Sequence, residues 1–110
     1  MNSTLKMEVY GKQYELLTVI DQYVNNNNIA IQLVTANGEP FATMTTNICN
    51  LPEHFATIDI NNLPQAISLI ERYKLGEPTG DFITSGFVTY PIYKLNINNI
   101  KKYAYGSKNA

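Results

Sequence analysis

The segment IAIQLVTANGEPFATMTTNI, residues 29–48, decides the fold class. Ile29, Ile31 and Leu33 alternate with Ala30, Gln32 and Val34, the period of two expected of a strand. Asn37-Gly38 is a strong tight-turn signal because both residue types accept positive φ. Phe41 to Ile48 reads as the returning strand. The hairpin implies an antiparallel sheet, and the flanking sequence extends it. On the N-terminal side, Leu5, Met7 and Val9 alternate with Lys6, Glu8 and Tyr10, and Gly11-Lys12 supplies a turn. Gln13 to Val24 fits helical spacing through Leu16, Val19, Ile20 and Tyr23. Its β-branched and aromatic content and the short link before it favour a strand. Asn25 to Asn28 form a polar loop whose side chains bond nearby main chain.

On the C-terminal side, Leu51-Pro52 ends the hairpin and Phe55 to Ile60 makes another short strand. The period then changes. Asn61-Asn62 offers a helix cap, Pro64 suits the first turn, and Ala66, Ile67, Ile70 and Tyr73 follow helical spacing with Leu63 as a staple. The spacing predicts a helix over 64–75, stopped by Gly76. Residues 76–86 (GEPTGDFITSG) read as an extended loop or a broken edge strand. Phe87 to Leu95 is aromatic and β-branched, and Pro91 places it at an edge or a bulge. One more weak helix or strand is expected around Ile97 to Tyr105, and 106–110 form a fraying tail. The expected class is α+β: a mostly antiparallel sheet of five or six strands with one main helix on one face.

A chain of 110 residues makes one domain. Surface scaling gives about 6,100 Å² folded against about 18,000 Å² unfolded, so a self-sufficient core is expected. No apolar run approaches the roughly 18 residues that span a bilayer, and Met1 to Tyr10 is polar and mixed in charge. The expectation is a cytoplasmic protein with no membrane partner. A single cysteine excludes an internal disulfide, and with a single histidine it is too few for a Cys/His zinc finger.

The net charge of −1 hides an asymmetry. Residues 1–81 carry nine acids against Lys6, Lys12, Arg72 and Lys74, whereas 82–110 carry four lysines and no acid. The asymmetry orients a charged partner or is absorbed when the C-terminal segment folds back. One arginine is poor material for reading DNA base edges.

Candidate chemistry is sparse. Cys49 and His54, with Glu53 and Asp59 nearby, invite a thiol nucleophile with a histidine base, but the spacing is unspecific. A small buried cysteine at a strand end and a solvated loop histidine are the preferred account of them, and the same four residues would make only an unusual metal site. Gly76, Gly80 and Gly86 follow a helix instead of opening one, so they are no phosphate loop. No cofactor or metal is expected, and the chain reads as a non-enzyme. Phe87, Tyr90, Tyr93, Tyr103 and Tyr105 with Lys94, Lys101 and Lys102 make the best case for a recognition surface, and Tyr90, Tyr93, Lys94, Lys101, Lys102 and Tyr103 are its candidate partner-binding residues, because tyrosines give contact area at low entropy and stack on bases while lysines hold the backbone. The plainer reading makes the same aromatics core.

The segments FATMTTNI (41–48), FATIDINNLP (55–64), LGEPTG (75–80) and SGFVTYPIYKL (85–95) resemble a family of small proteins found on plasmids, conjugative elements and phages of Firmicutes and Bacteroidetes. The most specific pieces are Asp59, Asn61 and Asn62, then Gly76 to Gly80, then Ser85-Gly86 with Thr89-Tyr90-Pro91 and Tyr93. The resemblance carries no established reaction, so it transfers no catalytic residue. It implies a role in the traffic between mobile elements and hosts, where some small proteins are anti-CRISPR inhibitors of type II effector nucleases. The partner expected on that basis is a host protein or ribonucleoprotein, with a type II CRISPR effector nuclease as the specific form. The alternatives are a nucleic-acid-binding accessory protein and a cysteine-dependent enzyme.

Overall fold

The computed structural model of the chain describes residues 3–106. Of the expected tail, 107–110 lie outside the described residues. Among the described residues eight strands form two antiparallel four-stranded sheets, accompanied by two short helices. The first sheet is a meander of β1 (Leu5–Val9), β2 (Lys12–Gln22), β3 (Ile29–Thr35) and β4 (Pro40–Thr43). The second has the order β5-β6-β8-β7, built from β5 (Thr45–Thr46), β6 (Phe55–Ile58), β7 (Gly76–Ser85) and β8 (Val88–Leu95). Helix α1 spans Ala66–Tyr73 and α2 spans Ile97–Lys101.

The expected single sheet of five or six strands becomes two sheets because the returning strand divides at Met44. Its N–H donates to the Ile31 carbonyl at 2.8 Å in the first sheet, while its carbonyl accepts from Asp59 N–H at 2.9 Å in the second. Met44 is fully buried, and Thr45 Oγ1 accepts from Ile31 N–H at 3.2 Å across the same corner. One core serves both sheets and both helices: Leu5, Leu16, Ile31 and Leu33 meet Ile58, Leu75 and Leu95, with Ile70 and Ile100 from the helices.

The strand reading of residues 13–24 holds through Gln22, where β2 ends; Tyr23 and Val24 already lie outside it. The β1–β2 turn carries positive φ at Tyr10 (51°) and Gly11 (78°), the two-residue hairpin geometry that fits the twist of the strands. The asparagine loop does more than break the chain. Asn28, nearly buried, donates from Nδ2 to the Cys49 carbonyl at 2.6 Å and to Asn47 Oδ1 at 3.0 Å, and its Oδ1 accepts from Leu51 N–H at 3.1 Å.

Helix α1 is shorter than the expected 64–75, and its ends differ. Asn61-Asn62 does not cap it; Gln65 stands at the N-cap position without a side-chain hydrogen bond. Asp59 instead accepts from Asn62 N–H at 3.1 Å and from its Nδ2 at 2.9 Å, so the preceding turn is what these residues hold. Lys74, left-handed at φ 56°, ends the helix, with its N–H on the Ile70 carbonyl. Gly76 opens β7, where a Cβ would lie 2.8 Å from the Lys94 carbonyl oxygen, so its smallness serves close strand approach. Residues 76–85 form a true edge strand, irregular between Pro78 and Phe82. Its neighbour β8 is interior in the strand order, yet Pro91 itself lies beside the irregularity between the Pro78–Tyr93 and Phe82–Pro91 pairs, in keeping with the edge or bulge that the proline suggests. The β6 ladder stops at the Thr57–Ile92 pair, so the proline falls where only β7 flanks β8.

The C-terminal segment folds back on β2, whose outer edge is free beyond the Leu5–Leu16 pair. Thr18 clasps it three times: its N–H donates to the Tyr103 carbonyl at 2.8 Å, its carbonyl accepts from Tyr105 N–H at 2.8 Å, and its Oγ1 donates to the Ile100 carbonyl at 3.0 Å.

Candidate recognition surfaces

The six candidate binding residues are spread over several parts of the surface. Tyr93 is 5% exposed and belongs to the core. Its phenol is held above the ordinary value first by burial and then by the charge of Glu71. Tyr90 is half-buried on β8 opposite Ile83. Lys94 is exposed opposite Glu77. Lys101 and Lys102 are exposed at the end of α2, while Tyr103 packs edge-on against Tyr73 with ring centroids 5.4 Å apart. Tyr103 lines a groove with Lys6, Glu15 and Arg72, whereas Lys94 and Lys101 line two other grooves that adjoin each other.

Cys49 is a half-buried free thiol. His54 finds a different neighbour, Glu53, whose Oε2 lies 3.5 Å from its Nε2. Among the described residues no three or more His, Cys, Asp or Glu side chains group so as to hold a metal ion, and no helix is long and apolar enough to cross a membrane.

Two features were not read from the sequence as units, although Phe87 and Tyr90 of the first belong to the aromatic set named there. The first is the distal half of the β7–β8 hairpin. Beyond Ile92, β8 has only β7 beside it, so residues 82–91 form a two-stranded arm. Its two-residue turn carries Gly86 at φ 64°, and Phe87 at the tip is fully exposed, with Phe82 63% exposed. The run FITSGFVTYPIY, residues 82–93, contains no charged side chain. That uncharged run is the signal by which the arm could have been found. A two-stranded ribbon is only marginally stable by itself, and exposed apolar side chains mark interaction surfaces.

The second feature is a pair of open grooves of about 670 and 690 Å³ that share His54 and Ile97. Glu71, Lys74, Glu77 and Lys94 line the first, and Asp21, Gln22, Asn27 and Lys101 line the second. His54 is the third residue of a turn closed by Phe55 N–H on the Pro52 carbonyl at 3.1 Å, at φ 72°, where Gly or Asn is the ordinary choice. Its carbonyl is fixed by Leu95 N–H at 2.7 Å.

No curated protein and no solved structure matches the chain. A family model matches residues 17–109, from β2 through both sheets and helices to the segment clasped by Thr18. On that match the chain belongs to the DUF4313 family, a domain of unknown function.

Proposed function

We propose that this chain is a non-enzymatic protein of mobile elements that binds a host protein or ribonucleoprotein through the β7–β8 arm, in its sharpest form an anti-CRISPR inhibitor of a type II CRISPR effector nuclease. The observation that carries the binding half of this reading is the arm itself: an uncharged projection with Phe87 and Phe82 in solvent. An apolar tip of this kind suits a hydrophobic pocket on a protein and gives nothing to a phosphate backbone. The mobile-element half rests on the resemblance of residues 41–95. Two assays test both halves. Retention of the nuclease on immobilised protein and loss of DNA cleavage support the specific form; normal cleavage at excess protein with no retained complex removes it. The Phe87→Asp variant separates the arm from the rest, because a fully exposed side chain contributes little to folding. It should unfold like the wild type and bind at least about thirtyfold more weakly, the loss of one aromatic anchor worth about 2 kcal/mol.

A second reading, a nucleic-acid-binding accessory protein of a plasmid or phage, is favoured by one observation: Lys94, Lys101 and Lys102 are all exposed, and none forms an ion pair among the described residues. Three phosphate contacts would make the logarithm of affinity fall with that of salt at a slope of about −2 to −3.

A further inference from the structure

We infer that the joined grooves around His54 are a binding site for an extended peptide of mixed charge. The first observation is where the disfavoured backbone lies. Among the described residues four non-glycine residues adopt positive φ: Tyr10, Asn27, His54 and Lys74. Tyr10 sits in a hairpin turn that calls for it, but the other three all line these grooves. Glycine would serve at 54 and at 74 without conformational cost, so the side chains kept there point to a use for imidazole and ammonium at that place.

The lining then selects the ligand. Lys74 and Lys94 face Glu71 and Glu77 around the first groove, yet the only ion pair among the described residues joins His54 to Glu53. Glu77 and Lys94 are direct cross-strand partners and still remain unpaired. A lining balanced in sign gives neither a polyanion nor a bare cation a net attraction, and it complements a chain that carries both charges. The uncharged lining is amide. Asn98 makes no side-chain hydrogen bond to a described residue, while Asn96 spends only its Oδ1, accepting from Asn99 N–H at 3.1 Å, and Asn99 only its Nδ2, donating to the Lys74 carbonyl at 2.7 Å. The amide atoms left over are matched donors and acceptors for a peptide backbone. Among the described residues no Phe, Tyr or Trp side chain lines either groove, so His54 is the one aromatic ring there and the broad stacking platform that sugars and bases use is missing. Because Lys94 and Lys101 line the site, two of the six sequence-derived binding residues fall within it.

The test titrates the full isotope-labelled chain with short peptides of randomised Lys, Glu, Asn and Val, alongside oligo-Glu, oligo-Lys, a neutral oligosaccharide and a single-stranded oligonucleotide. Mixed-charge peptides should shift the amide resonances of His54, Lys94 and Asn98. His54→Gly and Lys74→Gly relieve positive φ and so keep the fold, and each should weaken that binding about tenfold while raising the unfolding midpoint. Overturning results are no shift at these positions with any peptide of the set, preferential binding there of the oligonucleotide or the oligosaccharide, or unchanged peptide affinity in both glycine variants. A failed arm variant bears on the proposed function alone, since Phe82 and Phe87 line neither groove.

Discussion

Replacing Asn28 tests the reasoning about the asparagine loop most directly. The side chain is 7% exposed and makes three hydrogen bonds, to the Cys49 carbonyl, Asn47 Oδ1 and Leu51 N–H. A net hydrogen bond contributes about 1 kcal/mol, and a stranded buried partner costs about 1–3 kcal/mol. Asn28→Ala removes all three bonds and strands Cys49 O and Leu51 N–H, but the adjoining groove lets water reach them. The expected loss is therefore about 2–3 kcal/mol, a large fraction of a stability of about 5–15 kcal/mol. Asn28→Asp should be worse despite its identical shape. It keeps the acceptor for Leu51 N–H but turns the donor toward Asn47 Oδ1 and Cys49 O into a third acceptor in a nearly buried place. Those surroundings raise the folded-state pKa of the new carboxyl. An acid with a raised folded pKa binds more protons folded than unfolded. The variant's deficit should thus be small below the unfolded value near 4, where the carboxyl is protonated and donates, and should grow as pH rises through and above it. Urea unfolding followed by circular dichroism measures both variants across that range. An alanine cost below about 0.5 kcal/mol, an aspartate cost no greater than alanine's at neutral pH, or an aspartate deficit that does not change with pH would refute the argument.

Gly76→Ala should cost about 2–3 kcal/mol in urea unfolding, because its Cβ meets backbone at 2.8 Å; Gly80→Ala, in open space at φ 88°, should cost only about 1 kcal/mol. Thr57→Val should raise stability by about 0.5–1 kcal/mol, since the buried Thr57 Oγ1 has no hydrogen-bond partner. Tyr93 should be among the last tyrosines to ionise in an alkaline absorbance titration, its phenol being held above 10.0 by burial and by Glu71. Because the folded chain keeps that proton after the unfolded chain has lost it, stability should fall as pH rises past the ordinary value, and Tyr93→Phe should flatten the fall.

What the sequence made legible was local. Alternation located β1 and β3, β-branched and aromatic content located β2, turn chemistry located the Gly11 and Gly38 turns, and helical spacing located α1 to within two residues at either end. What it hid depends on contacts distant in sequence. Met44 looks like one more strand residue; only Ile31 on one side and Asp59 on the other make it the corner between two sheets. Pro91 argues for an edge, and β8 is interior in the strand order yet still accommodates the proline, because its N-terminal half lies beyond the reach of β6. Gly76 reads as a helix stop, but Lys74 takes the left-handed position and Gly76 answers to Lys94 across the strand pair. The candidate site suffered the same way. Tyr90, Tyr93 and Tyr103 share a composition but not a surface, because the strand face takes Tyr93 inward and the fold-back on Thr18 places Tyr103 against Tyr73.

The charge asymmetry now separates the functional readings physically. The positive C-terminal part is anchored through Thr18 to the edge of the first sheet, which leaves Lys101 and Lys102 in solvent at the end of α2, whereas the arm between residues 82 and 91 holds no charge. A partner seated on the arm gains its affinity from apolar burial, which salt leaves nearly unchanged or strengthens when the anion is a sulfate or phosphate. A partner held by the lysines releases counterions and weakens steeply as salt rises. The two surfaces therefore respond differently to added salt. One titration of a retained complex, repeated with Phe87→Asp and with Lys101 and Lys102 both replaced by Gln, assigns the contact. Salt-insensitive binding lost only with Phe87 belongs to the arm, and salt-sensitive binding lost only with the lysines belongs to a nucleic acid or another polyanion.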